Sequence, residues 1–221
     1  MSTLNSSTVA GLLDRLFAEA NRNDPAAFDR VHAEIDRLGQ AVSDRQRAEL
    51  MRDVYMPVEP EIGRLLYILA RGRNAKTIVE FGTSYGISGI HLAAALRDGG
   101  GGRLITTEFD AIKAERARAN FRSAGLDDLI EIRVGDAFDT LKADVGGKID
   151  LVLLDGWKQL YLPMLQMLEP RLAPGAVVVA DDLNIAREAV GPYLEHVRAP
   201  NGGYVSVELP LGDSIEVSIR V

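Results

Sequence analysis

The sequence predicts an α/β protein: a doubly wound sheet with added N-terminal helices and a C-terminal antiparallel hairpin. Three observations predict this fold. Short apolar runs alternate with helical stretches after residue 76, the chain before residue 57 shows helical periodicity, and the last two apolar runs are joined without room for a helix. The 221 residues are 47% hydrophobic and 26% charged. This balance is typical of a globular chain with one domain or one domain and an appendage.

Residues 1–56 are predicted to form a helical cap in front of the main domain. Apolar residues recur at the i, i+3, i+4, i+7 and i+8 spacing of one helix face, at Val9, Leu12, Leu13, Leu16 and Phe17. Asp24-Pro25 predicts the N-cap and first residue of a second helix. Ser43 with Gln46 predicts a capping box that starts a third. These helices either serve only as packing elements or cover the active site or a homodimer partner.

Residues 57–221 are predicted to form a Rossmann-like domain with a seven-stranded sheet. The five strands before the hairpin are predicted at Thr77–Phe81, Arg103–Thr107, Ile130–Val134, Ile149–Leu154 and Ala176–Ala180. Runs rich in Val, Ile and Leu suit strands that helices bury on both faces. Tyr204–Leu209 and Ile215–Val221 complete the sheet as an antiparallel hairpin.

Charge and cysteine content exclude several classes of function. The net charge is −7, which disfavours nucleic acid as a partner. The absence of cysteine excludes disulfides, thiolate metal sites and a cysteine nucleophile. The first ten residues lack the apolar core of a signal peptide, and no apolar run approaches the ~20 residues of a membrane span. We therefore expect a cytoplasmic protein that does not enter membranes.

Three successive strand ends carry features of a nucleoside site. Glycines in residues 80–89, after the first strand, permit a tight turn and close approach of a ligand. Glu108 ends the second strand, where a carboxylate accepts hydrogen bonds from ribose hydroxyls, and Asp136 follows the third, where it can accept from an adenine amino group. Taken one at a time, each feature also has another explanation: the glycines as a steric need of the turn, Glu108 as a solvated surface residue, and Asp136 as a helix cap. Together, and without the G-x-G-x-x-G pattern, they favour a nucleoside without phosphate, such as S-adenosylmethionine (SAM).

Carboxylates also follow the fourth and fifth strands, at Asp155, Asp181 and Asp182. Because parallel strands end at one rim, these three charges converge and repel each other unless a cation joins them. Ligation by oxygen alone suits Mg²⁺, Ca²⁺ or Mn²⁺. Two interpretations stay open: a bound divalent cation, or capping of the next helix by Asp181 or Asp182.

The segment Leu154-Asp155-Gly156-Trp157-Lys158, with Tyr161 following, resembles the cation-dependent O-methyltransferases. This group contains catechol O-methyltransferase and caffeoyl-CoA O-methyltransferase. Residues 79–88 are similar to the family's first SAM motif, and Asp181-Asp182 stands where the family has Asp-Asn. The resemblance covers roughly residues 56–221.

The resemblance implies a cofactor, a base and a metal site. Lys158 would be the catalytic base, and Asp155, Asp181 and Asp182 would bind Mg²⁺ or another divalent cation. The residues implied for the SAM site are Met56, Val58, Glu80, Gly82, Ser84, Ser88, Glu108, Asp136, Ala137, Asp155 and Trp157. Asp182 in place of Asn adds a negative charge to the metal ligands.

The implied activity is metal-assisted methyl transfer from SAM to a hydroxyl of a small catechol-like or vicinal-diol acceptor. Two alternatives stay open: a non-catalytic SAM-binding protein, and a tRNA-modifying methyltransferase of the same family. The second would use a basic patch at Arg64, Arg71, Arg73 and Lys76. An NAD(P)-dependent oxidoreductase is disfavoured, since the chain lacks both G-x-G-x-x-G after the first strand and a Tyr-x-x-x-Lys pair.

Overall fold

The N-terminal part of the protein is helical, as its periodicity predicts. The computed structural model describes residues 2–39 and 42–221. Three helices precede the first strand: α1 (Ser7–Leu38), α2 (Asp44–Leu50) and α3 (Pro60–Arg73). The predicted capping box at the start of α2 is confirmed, because Ser43 Oγ lies 3.3 Å from Gln46 N and Gln46 Oε1 lies 3.0 Å from Ser43 N.

Seven strands form one sheet in the order β3-β2-β1-β4-β5-β7-β6. They are β1 (Thr77–Phe81), β2 (Arg103–Glu108), β3 (Ile130–Val134), β4 (Ile149–Leu154), β5 (Leu172–Ala180), β6 (Tyr204–Leu209) and β7 (Ile215–Arg220). Strands β1 to β5 pair in parallel, whereas β7 runs antiparallel to both β5 and β6. The predicted doubly wound sheet with a terminal hairpin is confirmed.

Helices bury the centre of the sheet on both faces. Those that follow the strands are α4 (Ile87–Asp98), α5 (Ala111–Ala124), α6 (Ala137–Thr140), α7 (Tyr161–Leu168) and α8 (Arg187–Arg198). Successive residues of β1 face opposite ways: Ile78 packs in a core with α3, α4 and α5, and Val79 in a core with α7 and α8. Apolar residues are therefore needed at consecutive positions, which explains the unbroken runs in the sequence.

Helix α1 continues through Asp24-Pro25, so the prediction of a second helix starting there is wrong. Asp24 does not cap a helix. Its two carboxylate oxygens accept hydrogen bonds from the backbone N–H groups of Tyr55 (2.8 Å) and Met56 (2.9 Å). Pro25 lies inside the helix, where its lack of an N–H removes one internal hydrogen bond. Tertiary contacts of Asp24 thus override the local stop signal.

The cap and the main domain share one hydrophobic core. Val9, Leu12 and Leu16 of α1 pack in the same cluster as Ile62 of α3 and Ile90 of α4. The second half of α1 packs in a smaller cluster with the segment between α2 and α3. None of the helices within residues 2–39 and 42–221 is both long and apolar enough to cross a membrane.

Candidate active site

The turns after β1 and β4 touch each other at the carboxyl edge of the sheet. Gly82 has a φ of +107°, and a Cβ atom there would lie 2.8 Å from the carbonyl carbon of Asp155. Only glycine adopts this conformation and leaves room for the neighbouring backbone. The glycine predicted for the SAM site therefore brings the β1 turn against the segment that carries Asp155.

Glu80 lies fully buried in β1, next to this turn. Its Oε1 accepts a hydrogen bond from Ser88 Oγ at 2.5 Å, while Oε2 has no hydrogen-bond partner among the described residues. Burial raises the pKa of Glu80 to about 7. A buried oxygen without a partner is a place for a ligand's N–H or O–H group. Glu80 and Ser88, both predicted for the cofactor site, therefore form one polar unit.

Glu108 lies at the end of β2, where the ribose-binding acid was predicted. Its Oε2 accepts a hydrogen bond from Ser84 N at 2.9 Å, and its Oε1 accepts one from Asp110 N at 3.0 Å. Each carboxylate oxygen offers two lone-pair sites, so one remains on each for a hydroxyl group. Burial raises the pKa of Glu108 above its usual value. The structure thus joins Ser84 and Glu108, two predicted site residues, directly.

A narrow cleft lies between the segment before α3 and the β1 turn. Its lining includes the predicted Met56, Val58, Ser84, Ser88 and Asp155. Met56 has a φ of +45°, an uncommon conformation for a residue with a side chain. Met56 and Val58, the two site residues predicted before the first strand, thus both line this cleft, and their contact with SAM stays a prediction.

Two tyrosines that sequence reasoning missed complete this cleft. The rings of Tyr55 and Tyr85 stack with 3.7 Å between their centroids, and Ser84 Oγ donates a hydrogen bond to the Tyr55 carbonyl. Arg116 donates a hydrogen bond to the Tyr85 hydroxyl. Tyr85 lies inside the glycine-rich turn and Tyr55 directly precedes Met56, so aromatic residues next to predicted ligands were the available signal.

Asp136 and Ala137 lie further along the carboxyl edge. Asp136 Oδ1 accepts a hydrogen bond from Phe138 N at 2.8 Å and so caps α6. The side chain of Asp136 is exposed, whereas Ala137 is buried. The helix-cap interpretation accounts for one oxygen of Asp136, and the contact with adenine stays a prediction.

Lys158 lies in a polar cluster with groups from three elements. Its Nζ donates a hydrogen bond to the Tyr161 hydroxyl (2.8 Å) and lies 3.1 Å from Asp182 Oδ2 and 3.6 Å from Asp155 Oδ1. The Tyr161 hydroxyl in turn donates to the Asp181 carbonyl at 3.0 Å. Only 12% of the Lys158 side chain is exposed, so Lys158 is not a solvated surface lysine.

The charges of the three aspartates predicted as metal ligands influence one another. Burial, added to the charges of Asp181 and Asp182, raises the pKa of Asp155 well above its usual value against the opposing effect of Lys158. Burial and the Asp182 charge raise the pKa of Asp181 to about 7. Helix α8 has Ala186 at its N-cap, so neither Asp181 nor Asp182 caps it.

The donor chemistry of these aspartates fits a hard divalent cation, because all ligands are oxygens and their negative charges are crowded. In the present arrangement the Lys158 ammonium is the cation between Asp155 and Asp182. Within residues 2–39 and 42–221, no three His, Asp or Glu side chains are grouped so as to hold a metal ion. A metal site here requires the carboxylates to turn away from Lys158.

Trp157, predicted for the cofactor site, lies between the aspartate cluster and the N-terminal helices. The guanidinium of Arg47, on α2, lies 5.8 Å from the centroid of the Trp157 ring. Arg47 is half-buried there. The N-terminal helices therefore reach the active site, in addition to packing against the main core.

Comparisons with known proteins match this geometry to one family. The methyltransferase domain family matches residues 79–183, a segment that contains Glu80, Glu108, Asp155 and Lys158. The chain is 31% identical to the catechol O-methyltransferase of Sus scrofa, over 65% of this chain and 78% of that protein. The chain belongs to the class I SAM-dependent O-methyltransferase family.

Further members of the family resemble the chain in part. The catechol O-methyltransferase of Mycobacterium tuberculosis is 37% identical over 57% of this chain, a match that spans only 56% of that relative's length. The O-methyltransferase TomG of Streptomyces achromogenes, involved in tomaymycin synthesis and solved with SAM, is 27% identical with a TM-score of 0.69. That structural match covers 92% of this chain and 99% of TomG.

Proposed function

We propose that the protein transfers a methyl group from SAM to a hydroxyl of a small vicinal-diol acceptor, with a divalent cation at the aspartate cluster. Asp155 carries this proposal. It lines the cleft that we assign to SAM, and its carboxylate lies 3.6 Å from the Lys158 amine. The proposed cofactor cleft and the proposed base are therefore adjacent, as a methyl transfer requires.

The chain's part in the reaction is mainly to hold two reactants in line, an effect worth up to ~7–11 kcal/mol when geometry is well kept. The acceptor oxygen forms a bond to the methyl carbon as the carbon–sulfur bond breaks, and the sulfonium takes the electron pair and becomes a neutral thioether. Lys158, as its free amine, takes the proton that leaves the hydroxyl. Tyr161 orients that amine through its 2.8 Å hydrogen bond.

The cofactor would be held from its two ends. Glu108 would accept hydrogen bonds from the ribose hydroxyls, and Asp136 with Ala137 would face the adenine. Met56 and Val58, which line the cleft, would contact the methionine end. The orphan Oε2 of Glu80 would accept a hydrogen bond from this end, directly or through water.

Asp155, Asp181 and Asp182 would hold the cation. When bound, a divalent cation would polarise two adjacent oxygens of the acceptor and lower the pKa of the attacking hydroxyl. Chelation needs neighbouring oxygens, which is why a vicinal diol is the acceptor class proposed. Several relatives named catechol O-methyltransferase support this choice.

The test is calorimetric titration of SAM into the protein with and without Mg²⁺, followed by incubation with caffeic acid and mass analysis. We expect micromolar SAM binding and a Mg²⁺-dependent product heavier by one methyl group. Turnover that ignores Mg²⁺ would remove the metal from the proposal. SAM binding without turnover of any diol would favour the non-catalytic alternative, and absence of SAM binding would refute the proposal as a whole.

A further inference from the structure

We propose that Arg47 selects an acceptor that carries an anionic oxygen group, carboxylate or phosphate, at the end opposite its reacting hydroxyls. The inference rests on the proposed methyl transfer and adds the charge of the substrate. It assigns a role in specificity to a residue of the N-terminal helices, outside the strand ends that carry the other site residues.

The position of Arg47 is well defined by its helix. The capping box of Ser43 and Gln46 starts α2, and Ala48 is buried beneath it. These contacts turn Arg47 toward the main domain, where its guanidinium lies 5.8 Å from the centre of the Trp157 ring. Trp157 directly precedes Lys158 in the chain, so Arg47 is a near neighbour of the proposed reaction centre.

Arg47 differs from nearby arginines in its partners. Arg45, two residues earlier, pairs with Glu49, and Arg52 pairs with Asp110. For Arg47, residues 2–39 and 42–221 supply no carboxylate within ion-pair distance. A half-buried guanidinium close to an aromatic ring keeps N–H donors free, and a carboxylate or phosphate satisfies two of them at once.

The two ends of the proposed acceptor site differ in charge. At the reacting end, Asp155 and Asp182 lie 3.6 Å and 3.1 Å from Lys158, which suits neutral hydroxyls and a cation. At the other end, Arg47 supplies a positive charge beside the flat Trp157 ring. An aromatic diol with an anionic tail matches both ends, whereas a neutral diol leaves the guanidinium unused. The protein's net charge of −7 repels anions at long range, so capture needs a local cation of this kind.

The experiment compares caffeic acid, 3,4-dihydroxybenzylphosphonate and the neutral methyl ester of caffeic acid as acceptors. Wild type, Arg47→Gln, Arg47→Lys and the control Arg45→Gln are measured with saturating SAM. For Arg47→Gln we expect roughly a tenfold loss of kcat/KM on an anionic acceptor, as suits a hydrogen bond to a charged group, and less than about twofold on the ester. Arg47→Lys should restore part of the loss, and Arg45→Gln should resemble wild type.

Equal losses on the anionic acceptors and the ester would overturn the inference, because they would show that Arg47 only supports Trp157. The anionic acceptor with the larger loss identifies the preferred group. Calorimetry of the same three compounds with the protein saturated by S-adenosylhomocysteine gives a reading that needs no turnover. Selective weakening of anion binding by Arg47→Gln supports the inference even if methyl transfer fails, and unchanged binding refutes it.

Discussion

At the scale of single residues, polar groups on three sides fix the position of the Lys158 side chain. An ammonium group with 12% exposure touches two carboxylates and one phenol hydroxyl, and the phenol is itself anchored to the Asp181 carbonyl. Such a chain of hydrogen bonds fixes the direction of the amine, and a base acts only within hydrogen-bond reach of its proton. Tyr161 is therefore a positioning residue for Lys158.

Replacement of Tyr161 by Phe should lower kcat roughly tenfold, because Lys158 Nζ loses its 2.8 Å hydrogen bond while the ring keeps its packing. SAM affinity, measured by calorimetry, should stay within about twofold of wild type. Lys158→Met should abolish turnover with the same SAM affinity. A Tyr161→Phe protein with unchanged kcat across the pH range would remove the positioning role.

Glu80 should make the protein less stable as pH rises. Its pKa is raised from the usual value near 4.5 to about 7 by burial, so between these values the folded state keeps a proton that the unfolded chain releases. Stability therefore falls as pH rises through this window, and the loss is complete above pH 7. Asp155 and Asp181, whose pKa values are also raised, act in the same direction.

Glu80→Gln should remove the contribution of Glu80 to this loss of stability at high pH. The free energy of unfolding is measured with urea, without SAM, at pH 5 and at pH 8. It should decrease between these pH values, and the decrease should be about 2 kcal/mol smaller in Glu80→Gln than in wild type. The exposed Glu188→Gln should keep the wild-type dependence. Identical pH profiles for wild type and Glu80→Gln would show that Glu80 is ionised throughout.

At the scale of elements, the segment between α2 and α3 depends on α1 for its shape. Asp24 holds the N–H groups of both Tyr55 and Met56, and the Tyr55 ring stacks on Tyr85 of the β1 turn. The unusual backbone conformation of Met56 is stable only while these contacts hold it. A residue of the N-terminal helix therefore shapes the cofactor cleft.

Asp24→Ala should weaken SAM binding by about tenfold, since two hydrogen bonds to the cleft wall are lost. Asp24→Asn keeps one carbonyl oxygen and should fall between wild type and Asp24→Ala. The measurement is the SAM dissociation constant by calorimetry, with the exposed Asp29→Ala as control. If kcat at saturating SAM falls while the SAM affinity holds, Asp24 acts on the chemistry and not on the cleft.

The turn after β4 tolerates no side chain at Gly156. A Cβ atom there would lie 2.6 Å from Cζ of the Phe81 ring, which is itself buried. Gly156→Ala should reduce the unfolding free energy by roughly 1–3 kcal/mol, as overpacking does, and disturb the neighbouring Asp155. Gly11→Ala, on α1 with open space around it, should stabilise by about 0.5–1 kcal/mol. Equal midpoint temperatures of thermal unfolding for Gly156→Ala and Gly11→Ala would contradict this prediction.

At the scale of the whole molecule, the charge balance disfavours tRNA as a partner. Of the four residues predicted as a basic patch, Arg64 pairs with Glu61, Arg73 pairs with Asp150, and Lys76 donates to backbone carbonyls. With a net charge of −7, we expect no retention of tRNA in a gel-shift assay at about 50 mM salt. Retention that weakens steeply with added salt would revive the tRNA-modifying alternative.

The sheet was readable from the sequence because strands buried on both faces need continuous apolar runs, as Ile78 and Val79 show. Glu108 and Asp155 followed from the rule that ligands bind beyond the carboxyl ends of such strands. The continuation of α1 through Pro25 could not be predicted, because Asp24 hydrogen-bonds to Tyr55 and Met56, which lie 31 and 32 positions further along the chain. The contact of Arg47 with Trp157 is also long-range, and no local pattern encodes it.

Trp157 is the only tryptophan in the chain, and its ring centre lies 5.8 Å from the Arg47 guanidinium. Tryptophan fluorescence of the protein therefore comes from this one residue. The intensity and wavelength of Trp157 fluorescence therefore report the solvent and charge beside the proposed acceptor. Because the chain also has no cysteine, a single cysteine introduced at any exposed position can bear an energy-transfer dye. Distances from Trp157 to the labelled position can then be measured in solution without first removing a native cysteine or a second tryptophan.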